Sequence, residues 1–250
     1  YHSYVSGEHR YTDSPSLIVG SLLHTGLAHR YAIQKSLDAE EKHDYYEPLE
    51  AMKKQASEEG DVWIDYMDKV VDVYTKYISD DGTLFWENDL EVLYDEDVFT
   101  LTIEGYDLTL RADLVIQSKK SGLVYFVDHK TSSFIRAQTT QGYQSSGQFI
   151  AYQVLGEKLW GDKFGGLVVN YLQHGGFRAK TPKVVFKQEI IKRSQSHMDN
   201  FAPSILFYRR LLEHYEDKEL RHYPRVQSEF TCMHKYGACD HYDKCWNPTN

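Results

Sequence analysis

Asp128-His129-Lys130 stands at the end of the apolar run Leu123-Val124-Tyr125-Phe126-Val127, and Asp113 closes a second apolar strand just before it. An acid on one strand and an acid-x-lysine on the next are the residues of metal-assisted phosphodiester hydrolysis. A hard divalent cation such as magnesium takes oxygen ligands and keeps several waters. Asp113, Asp128 and the backbone carbonyl of His129 offer such oxygens. The ion would polarise the phosphate and acidify a bound water, and Lys130 would position that water or neutralise charge developing on phosphorus.

The triplet means little without its setting, because Glu40-Glu41-Lys42 and Glu216-Asp217-Lys218 also read acid-x-lysine. Those two lie in strongly polar surroundings. The run from Leu123 to Val127 instead has the composition of a strand buried on both faces. Side chains two apart share a side of a strand, so Asp128 and Lys130 can face one site. Upstream, Phe99 to Ile103 and Leu108 to Ile116 read as strands about a turn at Gly105, and Lys119 to Gly122 reads as a further turn. Three consecutive strands are thereby expected to deliver Asp113 and Asp128 to one sheet.

The elements around these strands follow from their periodicity. An apolar helix is expected from about Leu17 to Ser36, and a charged surface connection from Lys35 to Gly60 passing into a helix. Trp63, Tyr66, Met67, Val70, Val71, Tyr74 and Tyr77 recur at helical spacing and predict an amphipathic helix ending near Asp80-Asp81-Gly82. Its aromatic stripe suits core packing better than base stacking. Gly165 to Gln173 and Lys183 to Ile190 read as strands. A helix is expected from about Ser194 to Glu219, kinked or started by Pro203.

Two further spacings bear on the same chemistry. Gln148 and Tyr152 are four apart on the helix that follows the sheet, so both can reach one site. Gly20-Ser21-Leu22-Leu23-His24 places a histidine on the first apolar helix, and Glu91 falls in Leu90-Glu91-Val92-Leu93 ahead of the strands, with Glu87 a neighbouring competitor. Together, Asp113, the Asp128-x-Lys130-Thr131 signature, Gln148-x-x-x-Tyr152 and Gly20-x-x-x-His24 resemble the PD-(D/E)XK nuclease superfamily, in particular its RecB-like branch. That branch includes nuclease domains of recombination helicases, CRISPR adaptation nucleases and phage exonucleases. The resemblance implies an α/β fold with a restriction-endonuclease-like αβββαβ core, its mixed central sheet flanked by helices. It implies Mg2+ or Mn2+ held by His24, Asp113, Asp128 and the His129 carbonyl, with Glu91 as a further candidate ligand. Lys130 would assist attack by water, and Gln148 and Tyr152 would orient the substrate strand. The implied activity is an end-dependent deoxyribonuclease of recombination, repair or phage DNA processing. A non-catalytic DNA-binding accessory subunit and a restriction-type endonuclease are the alternatives.

With 250 residues, 41% of them hydrophobic, the chain suits a single domain over 1–250 with a helical insertion at about 37–82. No run has the length of a membrane span and no signal peptide is visible, so the expectation is a cytoplasmic protein of a bacterium or a phage-infected host. A net charge of −9 argues against indiscriminate nucleic-acid binding. Locally, Arg178, Lys180, Lys183, Lys187, Lys192 and Arg193 face the single acid Glu189, a segment that could track DNA phosphates or serve as a lysine-guarded strand edge. Beyond DNA, a recombinase, a helicase or further copies of the chain are the partners to expect. The three cysteines fall together as Cys232, Cys239 and Cys245, with His234 and His241 interleaved, which suggests a metal before disulfides. By resemblance to cluster-bearing relatives they would hold a 4Fe-4S cluster whose fourth ligand is absent from this chain. Zinc on three Cys and one His, or no metal, are the other readings.

Overall fold

The computed structural model describes residues 14–36, 46–79, 89–136, 141–143, 146–177, 183–215, 233–234 and 237–238. The chain divides into two compact units, Ser14–Ser204 and Tyr1–Asp13 with Ile205–Asn250. In the smaller unit the described parts are the helix from Ile205 onward and the short antiparallel strands Met233–His234 and Gly237–Ala238. Cys232, Cys239 and Cys245 lie outside the described residues, as do Arg178 and Lys180.

The larger unit is built on a five-stranded mixed sheet. Its strands are β1 (Leu90–Asp95), β4 (Leu114–Ser118), β5 (Val124–Ser132), β6 (Phe164–Gln173) and β7 (Val185–Ile191), in the order β1-β4-β5-β6-β7. Only β5 and β6 run parallel. A parallel pair needs a crossover, which here carries α5 (Gly147–Trp160). Residues 124–129 of β5 are all buried, as its unbroken apolar run requires of a strand covered on both faces. β2 (Val98–Ile103) and β3 (Tyr106–Arg111) form a separate hairpin about Gly105, whose φ of 86° suits glycine.

One face of the sheet is covered by α1 (Pro15–Ser36), α2 (Tyr46–Glu59) and α4 (Met67–Ser79), with the short helix α3 (Asp61–Ile64) between the last two. Pro15 opens α1 at the first helical position, where its missing N–H costs nothing. Ile18, Val19, Leu22, Leu23, Leu27 and Tyr31 of α1 pack with Val70, Val73, Tyr74 and Tyr77 of α4 and with Leu114, Ile116 and Val127 of the sheet. Each such aliphatic side chain contributes about 1.5–3 kcal/mol by leaving water. The expected single helix from Val62 is split, because the Tyr66 amide bonds to Trp63 three residues back and tightens the chain into a turn. The other face carries Phe126, Phe149, Tyr152, Trp160 and Phe164 in a contiguous aromatic layer.

The C-terminal helical stretch is also in two pieces, α6 (Gln195–Asp199) and α7 (Phe201–Tyr215), with Pro203 in the first turn of the second. Pro203 therefore marks the true start of α7 rather than a kink. Among the described residues no helix is long and apolar enough to cross a membrane.

Candidate metal centre

The stretch Leu108–Ile116, expected as one strand, is two. Ala112 and Asp113 leave the ladder between β3 and β4, and Glu96 and Asp97 leave it between β1 and β2. These two breaks lie side by side: the Glu96 amide donates to the Asp113 carbonyl at 3.1 Å, and the Ala112 amide to the Asp97 carbonyl at 3.0 Å. Glu96 adopts φ 50°, a left-handed conformation that a non-glycine residue rarely takes and that clusters at functional sites. The paired strands therefore bend at one place, and the bend sets the side chains of Glu96 and Asp113 next to each other.

Asp113 thus precedes β4 instead of closing a strand, yet it still meets Asp128. Antiparallel pairing places Leu114 opposite Val127, so the start of β4 lies beside the end of β5. The His129 amide donates to Asp113 Oδ2 at 2.8 Å. A residue's N–H and C=O leave an extended strand by the same edge, so the His129 carbonyl also faces the edge on which Asp113 sits.

α1 brings His24 from below. Gly20, one turn earlier, is buried, and a Cβ there would stand 2.7 Å from Thr131 Oγ1 of β5. The absence of that Cβ is what lets helix and strand approach. His24 Nδ1 lies 3.6 Å from Asp113 Oδ2. One ligand atom from each of His24, Glu96 and Asp113 falls within 4.8 Å of the others. That separation is near the span bridged by one ion with bonds of about 2.0–2.2 Å. Burial and then the neighbouring Asp113 charge push the Glu96 carboxyl above its usual range. Two partly buried carboxylates beside an imidazole form a donor set suited to a divalent cation.

Glu96 is the residue that sequence reasoning missed at this centre. It belongs to Asp95-Glu96-Asp97, which reads as a surface acid run. In the structure Lys35, near the end of α1, reaches Asp95 at 3.0 Å and Asp97 at 3.9 Å, which leaves Glu96 turned to the site. Arg111 also flanks it, 2.8 Å from the Glu96 carboxylate. Glu91 is exposed on β1, opposite Gln117, and is not in the three-residue group.

Asp128 and Lys130 lie together on the α5 face. Lys130 Nζ is 2.7 Å from Asp128 Oδ2, with Asp128 almost wholly buried. Burial raises the Asp128 carboxyl to about 7; Lys130 opposes that rise and Asp113 adds to it. Gln148 donates to Asp128 Oδ1 at 3.4 Å and to the Tyr152 hydroxyl at 3.2 Å, so the four-residue spacing does bring both to one place. Tyr152 in turn donates to the Arg111 carbonyl, and burial keeps its phenol protonated. Asp128 is not in the His24 group, but both lie about the junction of β4 and β5.

His129 points to the opposite face. Burial lowers its imidazole to about 4, so it is neutral, stacked on Tyr31 and bonded through Nδ1 to Asn170 at 2.9 Å. Asn170 also reaches Tyr77 at 3.1 Å, and Tyr77 reaches Tyr31 at 3.1 Å. This buried polar chain fixes the strand segment whose amide holds Asp113. Of the basic segment, Lys187 is paired with Glu189, and Arg193 is half-buried with its guanidinium donating to the Tyr143 carbonyl. Lys183 and Lys192 are exposed.

Comparison with protein-family models and with curated proteins gives no match. Among solved structures, the crystal structure of a "putative exonuclease" from Eubacterium rectale is similar over 89% of this chain and 79% of that one, with a TM-score of 0.50 and 13% identity. At that identity the likeness is one of fold. The structure of SSO0001 overlaps over 81% of each chain with a TM-score of 0.30 and 12% identity. The fold is accordingly an α/β arrangement with a mixed central sheet flanked by helices, shared with the Eubacterium rectale protein and expected from the sequence.

Proposed function

We propose that this protein is a divalent-cation-dependent deoxyribonuclease that hydrolyses phosphodiester bonds at DNA ends. The observation that carries the reading is the convergence of His24, Glu96 and Asp113 at the bend beside Asp128 and Lys130. The fold shared with the Eubacterium rectale protein supports it, and the name of that protein favours exonuclease over endonuclease.

In this reading His24, Glu96 and Asp113 hold the ion, with Asp128 and the His129 carbonyl as further oxygen donors. When bound, Mn2+ or Mg2+ supplies charge neutralisation at the phosphate and acidifies a water. Lys130, one-quarter exposed, shifts from Asp128 toward the phosphate and neutralises charge that develops there. Gln148 and Tyr152, linked to each other and to the strand ahead of Asp113, orient the scissile group.

The test is hydrolysis of end-labelled linear and covalently closed DNA with Mn2+ or Mg2+, beside Asp113→Ala and Lys130→Ala. Loss of the linear substrate alone, abolished in both variants, is the expected result. Cleavage of closed DNA would favour a restriction-type endonuclease. DNA binding without hydrolysis would favour an accessory subunit.

A further inference from the structure

β7, α5 and α6 bound a cavity of about 610 Å³. Ile150 of α5 with Ile190 and Ile191 of β7 gives it an apolar wall, and Lys192, Arg193 and His197 give it a basic rim. No carboxylate is among its lining residues. The rim is rigidly attached to the helix of Gln148 and Tyr152: Gln153 accepts the Arg193 amide at 2.7 Å and donates to the Arg193 carbonyl at 3.0 Å. Tyr143 links the rim to the neighbourhood of the candidate centre. Arg193 Nη2 donates to the Tyr143 carbonyl at 2.7 Å, and Lys130 Nζ stands 5.8 Å from the Tyr143 ring.

An inorganic anion has no use for three isoleucines, and a purely apolar ligand would not be set beside two cations. A body with an apolar face and a phosphate satisfies both walls, and few convergent polar groups on an apolar lining are the usual form of such a site. We propose that this cavity holds a nucleotide of the bound strand away from the scissile phosphate, with the isoleucines against base and sugar and Lys192 at its phosphate. The inference rests on the nuclease reading and specifies where the strand lies.

The test is equilibrium binding of deoxyadenosine monophosphate, deoxyadenosine and inorganic phosphate to the full chain without metal, in wild type, Lys192→Ala and Ile190→Asp. Both substituted positions are exposed, Ile190 by 49%, and an unchanged Tm checks that each variant folds. Saturable binding of the monophosphate, tighter than either fragment and weakened roughly tenfold or more by each variant, is expected. No saturable binding, or binding that neither variant changes, overturns the proposal. So does phosphate binding as tightly as the nucleotide, which would leave an anion site only. Hydrolysis of linear DNA, assayed separately, keeps the two readings apart. Hydrolysis without nucleotide binding removes the cavity's role alone. Nucleotide binding weakened by both variants, in a protein that hydrolyses nothing, keeps the cavity and removes the nuclease.

Discussion

Asp128 is held against its own chemistry. Its carboxyl sits near 7 in the folded chain and ordinarily at 3.8, so between those values the native state keeps a proton that the unfolded state has lost. Stability falls with rising pH wherever the native state binds more protons, so this group destabilises the metal-free fold progressively from about pH 4 to 7. Asp128→Asn should therefore raise Tm by a margin that grows across that window and is flat above it, a change followed by thermal melts at stepped pH in chelator. The same residue should make metal affinity fall as pH drops below 7, because a cation must displace the proton. His24 adds a nitrogen donor to the carboxylates, and imidazole favours transition-metal ions over magnesium; titration calorimetry should show Mn2+ binding more tightly than Mg2+. Beneath the site, Asn170→Leu leaves the buried His129 Nδ1 without its partner and should cost about 1–3 kcal/mol in denaturant unfolding.

At the scale of elements, the centre depends on one helix-strand approach and one bend. Gly20→Val adds bulk where a Cβ already meets Thr131 Oγ1 at 2.7 Å. It should push α1 and His24 off the strand, destabilising by about 1–3 kcal/mol and weakening metal binding, whereas exposed Gly142, with open space about it, should accept alanine without either effect. The close approach explains why a glycine one turn before a histidine and a threonine after Lys130 go together, a link that spacing alone hints at but does not state. β5 was readable because its apolar run admits little else. The bend was not: Leu108 to Ile116 is continuously strand-like, and nothing local marks Ala112 and Asp113 as the point where the chain changes sheets. Glu96 was hidden for the same reason, since its role comes from a cross-strand pairing and its two acidic neighbours are absorbed by Lys35. α2 was half-hidden too; its buried positions Pro48, Met52 and Ala56 keep a four-residue spacing in residues that do not read as an apolar stripe.

For the whole molecule, a net charge of −9 means that, on the proposed reading, attraction to DNA would come from a divalent cation at the centre and from local basic groups such as Lys183 and Lys192. Binding of DNA should weaken steeply with added salt and depend on divalent ion, which fluorescence anisotropy over a salt series with and without chelator would register. The bend at Glu96, and not Glu91 of β1, supplies the second acid of the proposed metal centre. The most direct measurement is Mn2+ titration of wild type, Glu96→Gln and Glu91→Gln, each also assayed on linear DNA. Glu96→Gln should lose metal affinity by at least about 10–100-fold, with hydrolysis falling in parallel, while Glu91→Gln behaves as wild type. Equal affinities in all three proteins, or loss confined to Glu91→Gln, would contradict the centre described above.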